Sequence, residues 1–249
     1  MKHVFFVLIS MVVFNSGAAL ALTAEEVKTK LSELDLGLPV ESVSLGSLDQ
    51  FYRVVLSDGS VLHATHDGNY FIYGDMYRIA GDKIYNYDEE KRNERRRVIL
   101  TSMAEPEAII FAATTDETQA TITVFTDIDC RFCREFHEEV PAMNSLGITV
   151  RYMAFPRAGI FEKQGGSEYT PSFKKLRSVW CSDKQQLYLT LAKGGHDIAE
   201  TDCDSKLEKH YSIGQKLNIA GTPAIIYEDG RMELGYRTAN QLALELGIK

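Results

Sequence analysis

The sequence predicts a chain of mixed class: a small α+β domain, a charged linker helix, and a larger α/β domain with a helical insertion. Three observations predict this. Residues 40–87 are rich in Val, Tyr and Phe, and the stretches Ser57-Asp58-Gly59-Ser60 and His66-Asp67-Gly68-Asn69 punctuate them. Asp-Gly between apolar runs marks antiparallel hairpins. From Gln119 onward, β-prone runs alternate with helical ones, the order of a parallel β–α–β unit. Between the two regions, "DEEKRNERRRVILTSMAEPEAIIF" mixes acids and bases. It reads as a helix with solvated faces rather than a nucleic-acid patch.

The elements follow in order. "MKHVFFVLISMVVFNSGAALA" has a basic start, an apolar run from Val4 to Phe14, and Ala19 and Ala21 in an A-x-A pattern. This is expected to be a secretory signal cleaved after Ala21. Its apolar run is well short of the ~20 residues a membrane span needs. Cleavage removes Lys2 and no acid, so the formal charge of −8 becomes −9; an acidic chain is a poor partner for nucleic acid. Thr23 with Glu26 forms a capping-box pattern, and Val27, Leu31 and Leu34 share one face of a helix ending near Gly37 and Pro39. The linker helix is placed over 88–104, with Asp88 four residues before Arg92 and Pro106 as its limit. "ATITVFTD" and "GITVRYMAF" are strands, residues 171–217 are largely helical, and Glu228-Asp229-Gly230 joins two further strands. Thr238 caps a closing helix. His63 and His66 have no further ligand nearby and read as ordinary strand and turn residues.

Export would place the cysteines where disulfides persist. All four, Cys130, Cys133, Cys181 and Cys203, lie beyond the signal, and four cysteines allow three pairings. Cys130 follows a strand and opens a helix, where unpaired N–H groups favour a thiolate. Arg131 adds a positive charge nearby, and His137 reads as a helix-surface residue. The spacing predicts an exposed, nucleophilic Cys130 and a more buried, less acidic Cys133 that releases a mixed disulfide. Zinc is the first rival, but Cys181 and Cys203 form no second knuckle. A structural Cys130–Cys133 staple is the second, but so short a loop removes little chain entropy. Cys181 and Cys203 close a longer loop and read as a structural pair rather than a second redox couple.

"FTDIDCRFC" followed far downstream by "GTPA" resembles the thioredoxin fold. With the leader, the small first domain, the linker, "LGITVRYMAFPR" and the distant cysteine pair, the chain resembles the periplasmic disulfide isomerases of the DsbC/DsbG type, the DsbC-like type preferred. The resemblance implies a cystatin-like dimerisation domain over 22–87, a linker helix over 88–104 and a thioredoxin-like catalytic domain over 105–249. It implies a homodimer, Cys130 and Cys133 as the redox pair, Thr222 and Pro223 as the cis-proline loop that binds substrate, and Cys181–Cys203 as a structural disulfide. No cofactor or metal is implied. Misoxidised exported proteins are the implied substrates, and a membrane reductase of the DsbD type the implied partner. Arg131-Phe132 departs from the common Gly-Tyr or Pro-Tyr dipeptide; the large charged Arg131 is expected to make the pair more oxidising. A dithiol oxidase and a holdase chaperone are the competing expectations.

Overall fold

The computed structural model describes residues 21–102, 108–163 and 165–248. The expected signal segment, apart from Ala21, and Pro106 lie outside the described residues. The chain divides into two compact units, Met1–Gly74 and Asp75–Lys249. Among the described residues no helix is long and apolar enough to cross a membrane.

In the first unit, helix α1 (Ala24–Ser32) begins at Thr23. The Thr23 hydroxyl accepts from the Glu26 N–H, and the Glu26 carboxylate accepts from the Thr23 N–H at 2.7 Å. Two orphan donors of the first turn are thereby satisfied. The helix stops at Ser32, short of the expected Gly37-Pro39, and Leu36 turns back onto the core. Val27 and Leu31 form the buried stripe, packed on Tyr52, Val54, Leu56, Leu62 and Ala64. Those residues come from β2 (Phe51–Leu56) and β3 (Val61–Thr65), flanked by β1 (Val40–Leu45) and β4 (Phe71–Tyr73) in the antiparallel order β1-β2-β3-β4. Gly59 and Gly68 supply the left-handed positions of the two predicted turns, at φ +78° and +62°. The edge strand β4 is exposed throughout.

The second unit opens with the hairpin β5 (Tyr77–Ala80) and β6 (Lys83–Asn86) and helix α2 (Tyr87–Thr101). The expected first domain runs to residue 87, whereas the division into compact units falls after Gly74. Side chains of α2 account for the difference. Arg92 grips Asp75 through two bonds of 2.9 and 2.6 Å, and Asp88 accepts from the Met76 N–H at 2.7 Å. The faces of α2 are also less solvated than expected. Asp88 and Arg96 are buried, and Arg92 pairs with Asp75 and Glu89 rather than with Asp88. Arg96 reaches Glu89, Asn93 and the Gly230 carbonyl. Gly230 lies so close to α2 that a Cβ would meet the Asn93 carbonyl oxygen at 2.0 Å.

The main sheet has the order β11-β10-β8-β9-β7. Its strands are β7 (Ile109–Phe111), β8 (Ala120–Thr126), β9 (Ile148–Ala154), β10 (Ala224–Ile226) and β11 (Met232–Leu234). The pair β8–β9 is parallel and the other pairings are antiparallel. Helices α3 (Arg131–Glu138) and α4 (Val140–Ser145) form the predicted crossover between β8 and β9. The short edge strand β7 sits in a run that reads as helix. An insertion of α5 (Pro171–Trp180), α6 (Gln185–Lys193) and α7 (Leu207–Lys216) separates β9 from β10, and α8 (Ala239–Leu246) closes the chain behind a Thr238–Gln241 capping box. Ile122, Val124, Phe136, Val150, Tyr152 and Phe173 centre the core. Cys181, at the end of α5, is disulfide-bonded to Cys203 across a separation of 22 residues.

Gly230→Ala combines a left-handed backbone at φ +85° with a clash against α2. It is expected to lower unfolding stability by about 2–4 kcal/mol in a denaturant titration of the full chain. Replacing Cys181 and Cys203 together by Ser is expected to cost about 3 kcal/mol in the same titration, from the entropy of a loop of this length.

Candidate active site

The parallel strand β8 delivers the chain to the site. Its last residue, Thr126, is followed by the loop Asp127–Asp129 and then by Cys130, the N-cap of α3. Asp127 anchors this loop. Its carboxylate is buried and accepts from the Asp129 N–H (2.9 Å), the Arg157 N–H (2.9 Å), the Arg157 Nε (3.1 Å) and the Ser172 hydroxyl (2.6 Å). Burial works to raise its pKa, but these donors hold it below the usual carboxylate range.

Strand register brings the second half of the site alongside. Ala224 pairs with Phe125, so Thr222 and Pro223, immediately before it, lie beside the loop that leaves β8. The Thr222–Pro223 peptide is cis. Cys130 Sγ lies 3.2 Å from the Thr222 carbonyl oxygen, which accepts from it when the thiol is protonated. The Thr222 hydroxyl is buried with no hydrogen-bond partner, and it helps to hold the Cys130 pKa down.

The two sulfurs are unlike. The Cys130 pKa is held well below that of an ordinary thiol. The Cys133 thiol donates to it; burial opposes the shift; the Thr222 hydroxyl, the Cys133 N–H and the charge of Arg157 add to it. The Cys133 pKa is pushed up, first by burial and then by its donation to Cys130, with Lys193 and Thr126 pulling the other way. The pair is therefore poised as one thiolate and one thiol sharing a proton.

Three expectations are corrected. Cys130 is 2% exposed rather than open, because the Thr222-Pro223 loop approaches its sulfur. Arg131 does not face the thiolate; its side chain is 85% exposed and bonds to Glu135, and Arg157 supplies the local positive charge instead. His137 is not a surface residue. Helix α6 covers it, its Nδ1 meets the Tyr152 hydroxyl at 3.1 Å, and its Nε2 meets the Thr190 hydroxyl at 2.9 Å. Burial and the Lys193 charge push its pKa down to about 3, so it is neutral at physiological pH.

The sequence reading missed four residues around the sulfurs: Thr126, Asp127, Arg157 and Lys193. Asp127 stands inside the quoted "FTDIDCRFC". Lys193 carries no local signal; it ends α6, and its Nζ donates to the Thr126 hydroxyl at 2.8 Å. Among the described residues no group of three or more His, Cys, Asp or Glu could hold a metal ion.

A low-pKa cysteine at a helix start, a thiol one turn behind it and a carbonyl edge beside them can exchange disulfides with an extended peptide. Comparison with known proteins agrees. Residues 106–247 match the model of a thioredoxin-like domain, and residues 17–88 that of the disulfide bond isomerase protein N-terminal domain. The chain is 33% identical over 190 residues to the thiol:disulfide interchange protein DsbC of Salmonella typhimurium, covering 76% of this chain and 74% of that one. It is 31% identical over 228 residues to the protein of that name from Dickeya dadantii, covering 91% and 87%. A disulfide interchange protein from Neisseria gonorrhoeae superposes with a TM-score of 0.48 at 24% identity, over 58% of this chain and 96% of that one. With the thiolate–thiol pair at the head of α3 and both domain models matched, the chain belongs to the DsbC family of thiol:disulfide interchange proteins.

Proposed function

We propose that the protein is a periplasmic disulfide isomerase and reductase that rearranges wrong disulfides in exported proteins. The observation that carries this reading is the asymmetric placing of two free cysteines: Cys130 caps α3 with its sulfur against the cis-proline loop, where its pKa is held down, and Cys133 is fully buried one turn inside, where its pKa is pushed up. The Cys130 thiolate attacks one sulfur of a substrate disulfide and releases the other as a thiolate. The freed substrate thiolate then attacks elsewhere in the substrate and displaces Cys130, leaving a rearranged bond. Where this fails, Cys133 displaces the substrate and closes the Cys130–Cys133 disulfide. The nearness of the Thr222 carbonyl to the Cys130 sulfur supports a role for this loop in pairing with a substrate strand. A stabilised thiolate lowers the free energy of the dithiol, the form that isomerisation requires. A reductase of the DsbD type would restore it, and the signal ahead of Leu22 would direct export.

Residues 22–87 would join two chains, 88–104 would link, and 105–249 would carry the exchange. Exposed apolar side chains on the edge strand β4 support the first role: Phe71, Ile72 and Tyr73 are 48%, 62% and 63% exposed. An open apolar edge is a template for pairing with a second strand.

Cys130→Ser is expected to abolish refolding of a scrambled multi-disulfide protein, whereas Cys133→Ser accumulates a covalent enzyme–substrate complex on non-reducing gels. Alkylation of reduced enzyme by iodoacetamide is expected to titrate with a midpoint well below the ~8.5 of a free thiol. The folded-state pKa is depressed, so the stability advantage of the dithiol is present at neutral pH. It is lost as pH falls through that midpoint; an alkylation midpoint at the free-thiol value refutes the assignment. Ile72→Lys is expected to shift the sedimentation mass from dimer towards monomer, and an unchanged mass assigns the dimer contact elsewhere.

A further inference from the structure

Asp127 is buried, at 2% exposure, and stands three residues before Cys130, whose N–H donates to the Asp127 carbonyl at 3.3 Å. The two carboxylate oxygens serve different parts of the chain. Oδ1 accepts from the Asp129 N–H at 2.9 Å, inside the loop that leads to Cys130, and from the Ser172 hydroxyl at 2.6 Å, in the first turn of α5. Oδ2 accepts from the Arg157 N–H at 2.9 Å and from Arg157 Nε at 3.1 Å, both in the loop after β9. A further bond ties that loop to the end of β8: the Phe155 N–H donates to the Thr126 carbonyl at 2.8 Å. Cys130 and Arg157 are thus bonded to one residue, the first through its carbonyl and the second through its carboxylate.

The Arg157 side chain is 48% exposed, and among the described residues Asp127 is the one partner of its guanidinium. An arginine that open to water has many rotamers to lose on being fixed. The two-point hold on Oδ2, one bond from the main chain and one from Nε, fixes the base of the fork. Other charges near the carboxylate are engaged elsewhere. Asp129 pairs with Lys175 at 2.6 Å and Arg134 at 3.8 Å, and Lys193, at the end of α6, donates to the Thr126 hydroxyl. Arg157 is also among the groups that hold the Cys130 pKa down.

We propose that Asp127 is a positioning residue of the first exchange step: one oxygen braces the turn that carries Cys130, and the other holds the Arg157 guanidinium at the site while the Cys130 sulfur attacks the substrate disulfide. The inference rests on the reading of Cys130 as the nucleophile. No bond is made or broken at Asp127 or Arg157. The Cys130 thiolate bonds to one substrate sulfur, the substrate S–S bond breaks, and its electron pair leaves on the other sulfur.

The sign of the effect separates this role from a direct one. A carboxylate acting on the sulfur through its own charge disfavours the thiolate, so its removal lowers the midpoint of Cys130 ionisation. A carboxylate acting through Arg157 has the opposite sign. Once released, the guanidinium moves into solvent, and the midpoint climbs towards the ~8.5 of a free thiol. Asparagine cannot take over both tasks. It has one oxygen, so its NH2 group faces either the two Arg157 donors or the Asp129 N–H.

The test is the pH profile of iodoacetamide alkylation of the reduced full-length protein, read on the first sulfur to react, with a urea titration of each variant. Asp127→Asn is expected to raise the midpoint by about one pH unit, the scale of a lost neighbouring charge, and so to slow alkylation about tenfold below the wild-type midpoint. Arg157→Ala raises it in the same direction. Because Asp127 acts through Arg157, the double variant matches Asp127→Asn instead of adding the two rises. A lowered midpoint in Asp127→Asn assigns a direct charge effect and overturns the proposal. An unchanged midpoint with reduced urea resistance makes the brace purely structural and overturns it too, as does a double variant equal to the sum. Should Asp127→Asn fail to fold, Arg157→Lys decides. It keeps the charge but lacks the planar fork that Oδ2 holds, so its midpoint rises as in Arg157→Ala; a wild-type midpoint there overturns the proposal. Cys130→Ser removes the fast sulfur altogether. A fast sulfur that survives it overturns the reading of Cys130 as nucleophile, a result separate from any movement of the midpoint.

Discussion

The sharing of one proton between the Cys130 and Cys133 sulfurs is the interaction on which the rest of the site depends. A thiolate that is nearly removed from solvent survives only if fixed donors replace water. Here that support comes from three places in the chain. The Cys133 thiol and N–H come from the first turn of α3, the Thr222 hydroxyl from the cis-proline loop, and the Arg157 charge from the loop after β9. The Asp127 carboxylate never touches the thiolate in these bonds, but it binds Arg157, Ser172 and the Asp129 N–H at once. It fixes the loop from which Cys130 emerges. A buried carboxylate with four donors is costly to leave half-satisfied, so the geometry it enforces is stiff.

The same burial creates the asymmetry that exchange needs. Two neighbouring sulfurs that share a proton do not ionise independently, so the pair titrates as a unit. Position then decides which sulfur carries the charge. Cys130 is at the helix start, within reach of Thr222 and Arg157, while Cys133 is one turn deeper with no exposure at all. The Cys130 pKa falls first through its interaction with the Cys133 thiol, whereas the Cys133 pKa rises first through burial and then through that same interaction.

Features set by neighbours in sequence were legible there. Thr23 with Glu26, Thr238, and the Asp-Gly turns at 58–59 and 67–68 each encode a cap or a turn within four residues. The alternation from Gln119 onward gave the parallel β8–β9 pair, and Cys130 opening a helix follows from its place after "VFTDID". What escaped was set by tertiary contact. His137 has a helical surface pattern until α6 arrives from 53 residues away to cover it. Arg131 looks poised for the thiolate, but Glu135 is the nearer partner along its own helix face. Cys130 reads as exposed because Thr222, which faces it, is 92 residues distant. Arg96 reads as a solvated linker charge because Gly230 is 134 residues away. The strand β7 is three residues long, too short for any periodicity to register.

The helical insertion ties these strands of the argument together. It lies between β9 and β10, where a minimal β–α–β core needs no more than a connection. Yet it supplies Ser172 to Asp127, Thr190 to His137 and Lys193 to Thr126, so each of its first two helices places a polar side chain against the loop or helix that carries the sulfurs. The Cys181–Cys203 bond closes the chain between α5 and the segment before α7, with α6 inside the closed loop. A disulfide there restricts the unfolded freedom of the element that delivers Lys193. One cysteine pair stays free at the head of α3, and the other closes the loop that contains the helix whose last residue faces it. Burying a lysine beside a thiol is unfavourable in isolation, and it persists because the insertion is anchored at both ends by bonds that do not depend on it.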